Sequence, residues 1–272
     1  MRMIGLIGGM SWESTAVYYR RINDQVRVRL GGLHSADIVM RSVDFSKIVA
    51  LQQAGAWDEA SAVLSRIGRD LQTAGADCVL ICTNTMHKLA DGVQSGIEVP
   101  LLHIVDVTAR ALKAAGSRRP LLLATRYTME QDFYLARLRD LHGIAAMVPG
   151  QDDRSVVHDI IFDELCQGIV RDGSQRAYLD IIARGKALGA DSVILGCTEI
   201  GLLIGPQHID LPTFDSTLLH ADAAVDFALT NACSGEVASG SPGRTVVRRQ
   251  GHASTVESTA FPVHMGSLSD PI

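Results

Sequence analysis

The chain has 272 residues, of which 47% are hydrophobic and 20% charged, a composition typical of folded soluble proteins. This composition excludes collagen-like, coiled-coil and wholly disordered chains. The 25 basic and 30 acidic side chains give a formal net charge of -5, and aromatic residues make up only 5%. A mildly acidic chain with few aromatic side chains lacks the features of nucleic-acid and membrane-surface binders. We therefore expect neither nucleic acid nor a membrane as a partner.

The N-terminus and the cysteines indicate a cellular compartment. The segment MRMIGLIGGMSWEST has an apolar part too short for a signal peptide and is interpreted as a strand and a turn. No apolar run approaches the ~20 residues that a membrane span needs. The cysteines are odd in number and show no C-x-x-C spacing, which favours reduced thiols. They are Cys78, Cys82, Cys166, Cys197 and Cys233. The sequence therefore predicts a cytoplasmic protein.

Short apolar segments alternate with longer helical patterns along the chain. The predicted strands span residues 3–7, 37–43, 78–82, 101–104, 121–124, 145–148, 192–195 and 212–214. The predicted helices span residues 12–30, 57–74, 105–115, 130–141, 156–167, 175–188 and 217–229. Strands that alternate with helices predict βαβ units and parallel sheets. The segments DCVLIC and DSVILG are almost wholly apolar, as strands covered on both faces should be.

The chain also repeats itself. The segment GADCV at 75–79 matches GADSV at 189–193, which lies 114 residues later. Two further pairs match in the same order, namely 4–11 with 121–128 and 100–106 with 211–215. The repeat is longer than the ~20–50 residues of a solenoid unit. We therefore predict an α/β fold of two lobes related by a pseudo-two-fold axis, each a mainly parallel sheet flanked by helices.

The repeat sets the predicted domain boundaries. Lobe one covers residues 1–110 and lobe two covers 111–215, and the helix at 216–230 is a candidate to return to lobe one. From about residue 231 the chain has no sustained periodicity and is rich in Ser, Gly, Pro and Thr. Residues 231–272 are therefore predicted to be a disordered tail.

The usual cofactor and metal motifs do not occur. The sequence contains no G-x-G-x-x-G, G-x-x-x-x-G-K-[ST], H-E-x-x-H or G-x-S-x-G, and its nine histidines lack ligand spacing. The sequence therefore predicts no cofactor and no metal site. Small polar segments instead follow four predicted strands, at 8–11, 83–87, 125–128 and 196–199.

Ligands bind outside the carboxyl ends of strands in open α/β sheets, which makes these four turns candidates for a site. Any one of them taken alone is better explained as a helix cap or a turn. Four turns at matched positions in two halves favour a site. Their hydroxyl, amide and backbone N–H groups suit a carboxylate ligand.

Cys197 is the candidate reactive residue. It follows Gly196 at a strand end and precedes a predicted helix, whose N-terminus would lower the thiol pKa from its usual ~8.5. Cys197 could then act as a thiolate base or nucleophile. The alternative is a small buried apolar residue, the common fate of a free cysteine. Cys78, Cys82 and Cys166 are predicted to belong to the core in that way.

Four segments carry a resemblance to a known family. MIGLIGGMSWEST, CTNTMHK, TRYTM and GCTEIGLL resemble the signatures of the aspartate/glutamate racemase family. The similarity is greatest to its bacterial branch of L-aspartate/glutamate-specific or broad-specificity amino-acid racemases, and it covers about residues 1–230. The resemblance implies a two-lobed fold, a homodimer and interconversion of L- and D-aspartate or glutamate without a cofactor. In such racemases one cysteine removes the α-proton and a second protonates the opposite face.

The resemblance implies one cysteine of that pair. Cys197 lies in the second motif, GCTE, whereas the first motif, typically C-N-T, has Thr83 before Asn84. Cys82 is displaced by one residue, which turns its side chain to the other face of a strand. The implied catalytic pair is therefore Thr83 and Cys197. A hydroxyl is far less acidic than a thiol, so Thr83 could protonate an intermediate, directly or through water, but is a poor base.

The resemblance and the positions of the turns also imply a set of substrate contacts. These are Met10, Ser11, Gln52, Asn84, Thr85, Thr125, Thr198 and Glu199. Arg41 and Arg126 are candidates to pair with a distal carboxylate. The missing first cysteine leaves two alternatives open. One is a single-cysteine decarboxylase or cis–trans isomerase of the same family, and the other is a non-catalytic protein that binds a small acid.

Overall fold

The structure, a computed structural model, describes residues 1–230. The predicted tail 231–272 lies outside the described residues. The six strands are β1 (Ile4–Gly8), β2 (Ile38–Ser42), β3 (Cys78–Ile81), β4 (Pro120–Leu123), β5 (Ser192–Leu195) and β6 (Thr213–Asp215). Three single 3-10 turns, Thr85–Leu89, Leu165–Gln167 and Pro206–His208, accompany them.

Helices fill most of the intervals between the strands. They are α1 (Trp12–Leu30), α2 (Phe45–Gln53), α3 (Trp57–Thr73), α4 (Ala90–Gln94), α5 (Ile104–Ala114), α6 (Arg126–Glu130), α7 (Asp132–His142), α8 (Gln151–Asp163), α9 (Asp172–Ala187), α10 (Ile200–Leu203) and α11 (Ser216–Leu229).

The strands form two three-stranded sheets. The first has the order β2-β1-β3 and the second β4-β5-β6, and every pairing is parallel. Strands β1, β3, β4 and β5 are buried along their whole length, as their apolar sequences predict. The predicted α/β fold of parallel sheets flanked by helices is confirmed. Residues 1–230 belong to one compact unit, so the lobe boundaries at 110 and 215 stay predictions.

Two predicted strands, 101–104 and 145–148, are wrong in length. Each segment makes only one parallel bridge, Leu101 to Val79 and Met147 to Leu121. The first segment ends early because His103 already caps α5. In the second, Met147 exchanges backbone hydrogen bonds with Pro120 and Leu122, and Pro149, which has no N–H, keeps the ladder from extending beyond the segment.

Helix α11 packs against the first sheet rather than the second, although it directly follows β6. Its small buried residues Ala221, Ala224 and Ala228 lie in the same core as Ile4 of β1 and Tyr18 of α1. Two parallel hydrogen bonds of 2.7 Å also join Arg21 of α1 to Asp222 of α11. The last described helix therefore ties the end of the second half of the chain to the first half.

Three histidines lie together behind the carboxyl end of the first sheet. The ring of His87 is 4.8 Å from that of His103 and 5.5 Å from that of His220, centroid to centroid. Burial lowers the pKa of all three imidazoles, to about 3 for His103 and for His220. The three rings are therefore neutral at physiological pH.

The hydrogen bonds of the cluster need these neutral forms. His87 donates from Nδ1 to the carbonyl of Thr83 (2.7 Å) and accepts at Nε2 from the N–H of Ile104 (3.2 Å). His220 Nδ1 lies 2.8 Å from the hydroxyl of Tyr18. A proton added to His87 would remove the acceptor that Ile104 uses.

Acid should destabilise the protein through this cluster. Unfolded histidine titrates near pH ~6.5, and the folded imidazoles stay neutral to a lower pH. The folded state therefore binds fewer protons, and its stability falls as the pH drops below about 6.5. At pH 5 each imidazole should lower the free energy of unfolding by about 2 kcal/mol relative to pH 8. Urea unfolding at the two pH values measures the difference.

Two carboxyl groups bear on this prediction. Burial raises the pKa of Asp215 to about 6, so its protonation partly offsets the loss. Asp106, whose pKa is lowered by Arg137 and His142 against the effect of burial, titrates below this pH window.

The control is His103→Asn, which keeps a side-chain acceptor at the cap of α5 but removes one titrating group. An unchanged pH dependence in this variant would contradict the assignment to His103.

Candidate active site

A pocket of about 450 Å³, its mouth included, lies where the carboxyl ends of the two sheets meet. The turns after β1, β3, β4 and β5 and parts of α2 and α8 line it. The lining residues are Met10, Ser11, Phe45, Gln52, Thr83, Asn84, Thr85, Thr125, Ile161, Phe162, Cys166, Gly196, Cys197, Thr198 and Glu199. The structure thus brings together all ten residues predicted for the site, whose roles stay predictions.

The turn after β1 places Ser11 at the pocket. A Cβ atom at Gly9 would lie 2.3 Å from the backbone N and O of Val43, and its φ of +89° also favours glycine. The N–H of Gly9 donates to the hydroxyl of Thr15 (2.8 Å), which fixes the turn on the first turn of α1. Ser11 caps α1, since its hydroxyl accepts from the N–H of Ser14.

Gly196 allows the corresponding approach after β5. A Cβ atom there would lie 2.7 Å from Leu122 and 3.0 Å from Ala124, on the neighbouring strand and its end. A larger residue would require the Leu122 side chain to move and would crowd Ala124 and the carbonyl of Leu123 (3.1 Å). The glycine of the GCTE motif therefore lets Cys197 follow β5 directly at the wall of the pocket.

Glu199 is the centre of the polar network in the pocket. Its side chain accepts from Ser11 at Oε1 (2.5 Å) and from Thr198 (2.6 Å) and Cys197 (3.0 Å) at Oε2. The residue is only 3% exposed. Within the described residues, hydroxyl and thiol donors satisfy this carboxylate, and no salt bridge to it is formed. Hydrogen bonds to a charged acceptor are among the stronger ones in proteins.

The thiol of Cys197 is held in its protonated form. Burial raises its pKa well above the usual value, and the negative charge of Glu199 raises it further. The prediction of a lowered pKa for Cys197 is therefore wrong. Helix α10 begins only at Ile200 and has four residues, too short a helix to outweigh burial and a carboxylate at 3.0 Å.

Two further hydrogen bonds join the halves of the chain around the pocket. Thr85, after β3, lies 2.9 Å from the hydroxyl of Thr125, after β4. Asn84 donates to the hydroxyl of Ser216 (3.1 Å), which in turn donates to the carbonyl of Leu195 (2.8 Å). With the contact between Ser11 and Glu199, these bonds hold the strand ends of both sheets together.

Thr83, and not Cys82, faces the pocket. Cys82 is fully buried in the core that contains Tyr18 and Leu80, and burial raises its pKa. Thr83 is partly exposed and lines the pocket, and its hydroxyl makes no hydrogen bond within residues 1–230. The hydroxyl is therefore available to a bound molecule.

Sequence reasoning missed several lining residues. Cys166 was predicted to lie in a core helix, but α8 ends at Asp163 and Cys166 sits in the following 3-10 turn, partly exposed to the pocket. The chain turns there because Gly168 adopts a φ of +73°. The other missed residues are Phe45, Ile161, Phe162 and Gly196. Only Gly196, inside the GCTE motif, carried a signal in the sequence.

The two arginines considered for a distal carboxylate lie elsewhere. Arg41 and Arg126 are both exposed, and neither lines the pocket. Among the described residues, no group of three or more His, Cys, Asp or Glu could hold a metal ion. No helix in the same part of the chain is long and apolar enough to cross a membrane.

Two parallel sheets whose strand ends enclose a thiol, a carboxylate and several hydroxyls define an α/β protein with a site for a small polar molecule. A profile of the Asp/Glu/hydantoin racemases matches residues 7–224. The chain belongs to this racemase family.

Individual relatives agree with this assignment. A Yersinia pestis protein provisionally described as an Asp/Glu racemase is 50% identical, with a TM-score of 0.80 over 84% of this chain and 100% of its own. An aspartate racemase homologue from Pyrococcus horikoshii is 30% identical, with a TM-score of 0.74. The match covers 84% of this chain and 99% of the homologue. The broad-specificity amino-acid racemase RacX of Bacillus subtilis is 20% identical and is matched over 82% and 96%.

The state of Cys197 can be tested by alkylation of the empty protein. Because the charge of Glu199 raises the thiol pKa, Glu199→Gln should lower it and speed reaction with iodoacetamide at pH 8 roughly tenfold. Peptide mass mapping separates Cys197 from Cys166, whose own pKa is raised by burial to about 12.

The matched control for this experiment is Ser11→Ala, which removes a hydrogen-bond donor to Glu199 but keeps its charge. The rate of Cys197 alkylation should change much less in Ser11→Ala than in Glu199→Gln. Slower alkylation of Glu199→Gln than of the unmodified protein would contradict the charge argument.

Proposed function

We propose that the protein is a cofactor-independent amino-acid racemase in which Cys197 and Thr83 act on opposite faces of the α-carbon. The observation that carries this proposal is the contact between the Cys197 thiol and Glu199 in a pocket that Thr83 also lines. Membership of the racemase family and the names of the relatives support it. From the family resemblance we also propose aspartate and glutamate as the substrates. We propose, on the same ground, that the protein is a cytoplasmic homodimer.

Glu199 provides a route to deprotonate the Cys197 thiol in the proposed reaction. The ammonium group of a bound amino acid, placed beside Glu199, would neutralise the charge that raises the pKa of Cys197. The proton of the thiol can leave through Glu199 Oε2, to which it is already hydrogen bonded at 3.0 Å, and pass on to water, so that the carboxylate keeps the charge that pairs with the ammonium. Substrate binding would thus produce the thiolate that removes the α-proton.

The hydroxyls and amides of the strand ends suit the remaining steps. Asn84, Thr85 and Thr198 would hold the α-carboxylate, whose oxygens take up the negative charge as the α-proton leaves. A proton delivered at the face of Thr83, from its hydroxyl or from a water molecule bound to it, completes the inversion. In the reverse direction Thr83, a much weaker acid than a thiol, has to accept the proton.

The presence of threonine at position 83 also supports a second candidate function. A single thiol could protonate the intermediate of a decarboxylation or add to a double bond in cis–trans isomerisation. A non-catalytic binding protein would show neither reaction. Proton NMR in deuterated water with amino acids, malonates and an unsaturated cis-diacid separates these functions, because each leaves a different signal: α-exchange, the product of decarboxylation, the trans isomer, or binding alone.

Cys197→Ala should abolish exchange of the α-proton with deuterated water, a loss of at least about 10³-fold. The matched control is Cys166→Ala, which removes the other described pocket thiol and should keep exchange measurable. Exchange that survives in Cys197→Ala would sink the proposed mechanism.

The two directions of turnover should differ in kcat. Because the equilibrium constant between enantiomers is unity, kcat/KM must match in both directions, so the difference appears in kcat and KM together. Thr83→Cys should raise kcat in the slower direction by roughly tenfold or more, since it supplies a better base. Initial rates with each enantiomer, followed by circular dichroism, test this. Equal kcat values in the unmodified protein would count against unequal roles for positions 83 and 197.

A further inference from the structure

We infer that His87 and Ser14, two buried side chains that do not line the pocket, position Thr83 for protonation of the substrate. This inference rests on the proposed racemase function. His87 is 3% and Ser14 only 1% exposed, and the proposed reaction itself uses neither side chain. Each holds a backbone carbonyl in the short segment that carries Thr83. Such residues set the geometry of a reacting group without touching the substrate.

Thr83 lies in a segment without regular secondary structure. Strand β3 ends at Ile81, and the following 3-10 turn begins only at Thr85. The hydroxyl of Thr83 makes no hydrogen bond of its own within residues 1–230. Threonine is branched at Cβ and has few side-chain rotamers, so the backbone largely decides where the hydroxyl lies. The position of the hydroxyl therefore depends on the groups that fix the backbone between Ile81 and Thr85.

His87 fixes the carbonyl of Thr83. Its Nδ1 donates to that carbonyl (2.7 Å), and its Nε2 accepts from the N–H of Ile104 at the start of α5 (3.2 Å). A neutral imidazole carries one N–H, so a single tautomer satisfies both hydrogen bonds. The rings of His103 and His220 pack beside it, with centroids at 4.8 and 5.5 Å. The carbonyl of Thr83 is therefore tied to a packed group in the interior.

Ser14 of α1 fixes the preceding peptide group. Its hydroxyl donates to the carbonyl of Cys82 (2.8 Å). The N–H of Thr83 belongs to the same peptide group and donates to the carbonyl of Ile81 (2.8 Å). Both peptide planes that flank Thr83 are therefore held by a buried side chain, one by Ser14 and the other by His87.

The loss of either carbonyl bond would free a flanking peptide plane and displace the Thr83 hydroxyl. A reacting group displaced by about 1 Å can cost ~10²-fold in rate. Cys197 would be affected much less, because it follows β5 of the other sheet and is bonded to Glu199 (3.0 Å). Removal of the α-proton by Cys197 should therefore continue while delivery of a proton at the opposite face fails.

Deuterium exchange separates these two steps in the full-length protein. With the enantiomer of aspartate whose α-hydrogen faces Cys197, the thiolate removes that proton, and the resulting thiol can exchange with deuterated water. A deuteron returned by the thiol gives exchange without inversion, whereas a deuteron delivered at the face of Thr83 gives inversion. Chiral chromatography measures inversion and proton NMR measures total exchange. The ratio of inversion to exchange thus reports on the Thr83 face.

Thr83→Val provides the reference for this ratio, because valine has the shape of threonine without the hydroxyl. It should keep exchange and lose most of the inversion. An unchanged ratio in Thr83→Val would overturn the role of Thr83 in the proposed function. The positioning inference is tested separately, by variants that keep Thr83.

Two substitutions of His87 form a matched pair. The amide nitrogen of asparagine can occupy the position of imidazole Nδ1, and the amide oxygen of glutamine can occupy that of Nε2. His87→Asn therefore keeps the donor to Thr83 and loses the acceptor for Ile104, whereas His87→Gln does the reverse. Both variants remove the ring, so a merely structural role would affect them alike.

The ratio of inversion to exchange should fall at least about tenfold in His87→Gln and change less than about twofold in His87→Asn. This difference would show that the bond to Thr83, and not the packing of the ring, supports inversion. Equal ratios in the two variants would overturn the inference and leave the racemase proposal intact.

Ser14→Ala tests the other peptide group and decides the inference if His87→Gln does not fold. The ratio should fall at least about threefold, because the carbonyl of Cys82 loses its donor. The matched control is Ser65→Ala, which removes a similar bond from a helix to the carbonyl of Gly92 (3.0 Å), outside the pocket. It should leave the ratio unchanged. The same ratio in Ser14→Ala as in Ser65→Ala would overturn the role of Ser14.

Discussion

The buried carboxylate of Glu199 is the feature on which the site depends. A buried negative charge is costly unless donors surround it, and here Ser11 comes from the first half of the chain while Thr198 and Cys197 come from the second. The hydrogen bond from Ser11 spans 188 residues of sequence. Its formation requires the ends of β1 and β5 to meet, so satisfying one carboxylate also assembles the pocket. The same negative charge raises the pKa of the neighbouring Cys197 thiol and so keeps it protonated.

The surrounding structure keeps this arrangement in place. Helix α11 returns from the second sheet to the core of the first, and Ser216 at its start bonds both Asn84 and the end of β5. Behind the pocket, neutral His87 holds the carbonyl of Thr83. The position of the Thr83 hydroxyl therefore depends on a buried histidine cluster, which links the integrity of the site to the protonation of groups outside it.

The α/β class and the strand ends that line the pocket could be predicted because they follow from local patterns, whereas helix α2, which also lines the pocket, was not predicted. Apolar strands buried on both faces, repeated with small polar turns after them, are visible in the sequence and place a site where parallel strands end. Segments 101–104 and 145–148 carry the same apolar signal, yet each forms a single bridge, the first because His103 already caps a helix. Whether a strand continues or a neighbouring helix begins is decided by one or two residues, and composition does not predict that outcome.

The sequence by itself determined the α/β class, the family signatures and the ten residues that gather at the pocket. Only the tertiary structure decided the chemistry of their surroundings. It placed Glu199 against Cys197 within burial that raises the thiol pKa, moved Cys166 from the predicted core to the pocket wall, and left Arg41 and Arg126 outside it. The reason is physical: pKa values and charge balance depend on distances through space and on exclusion of water, and residues far apart in the chain set both.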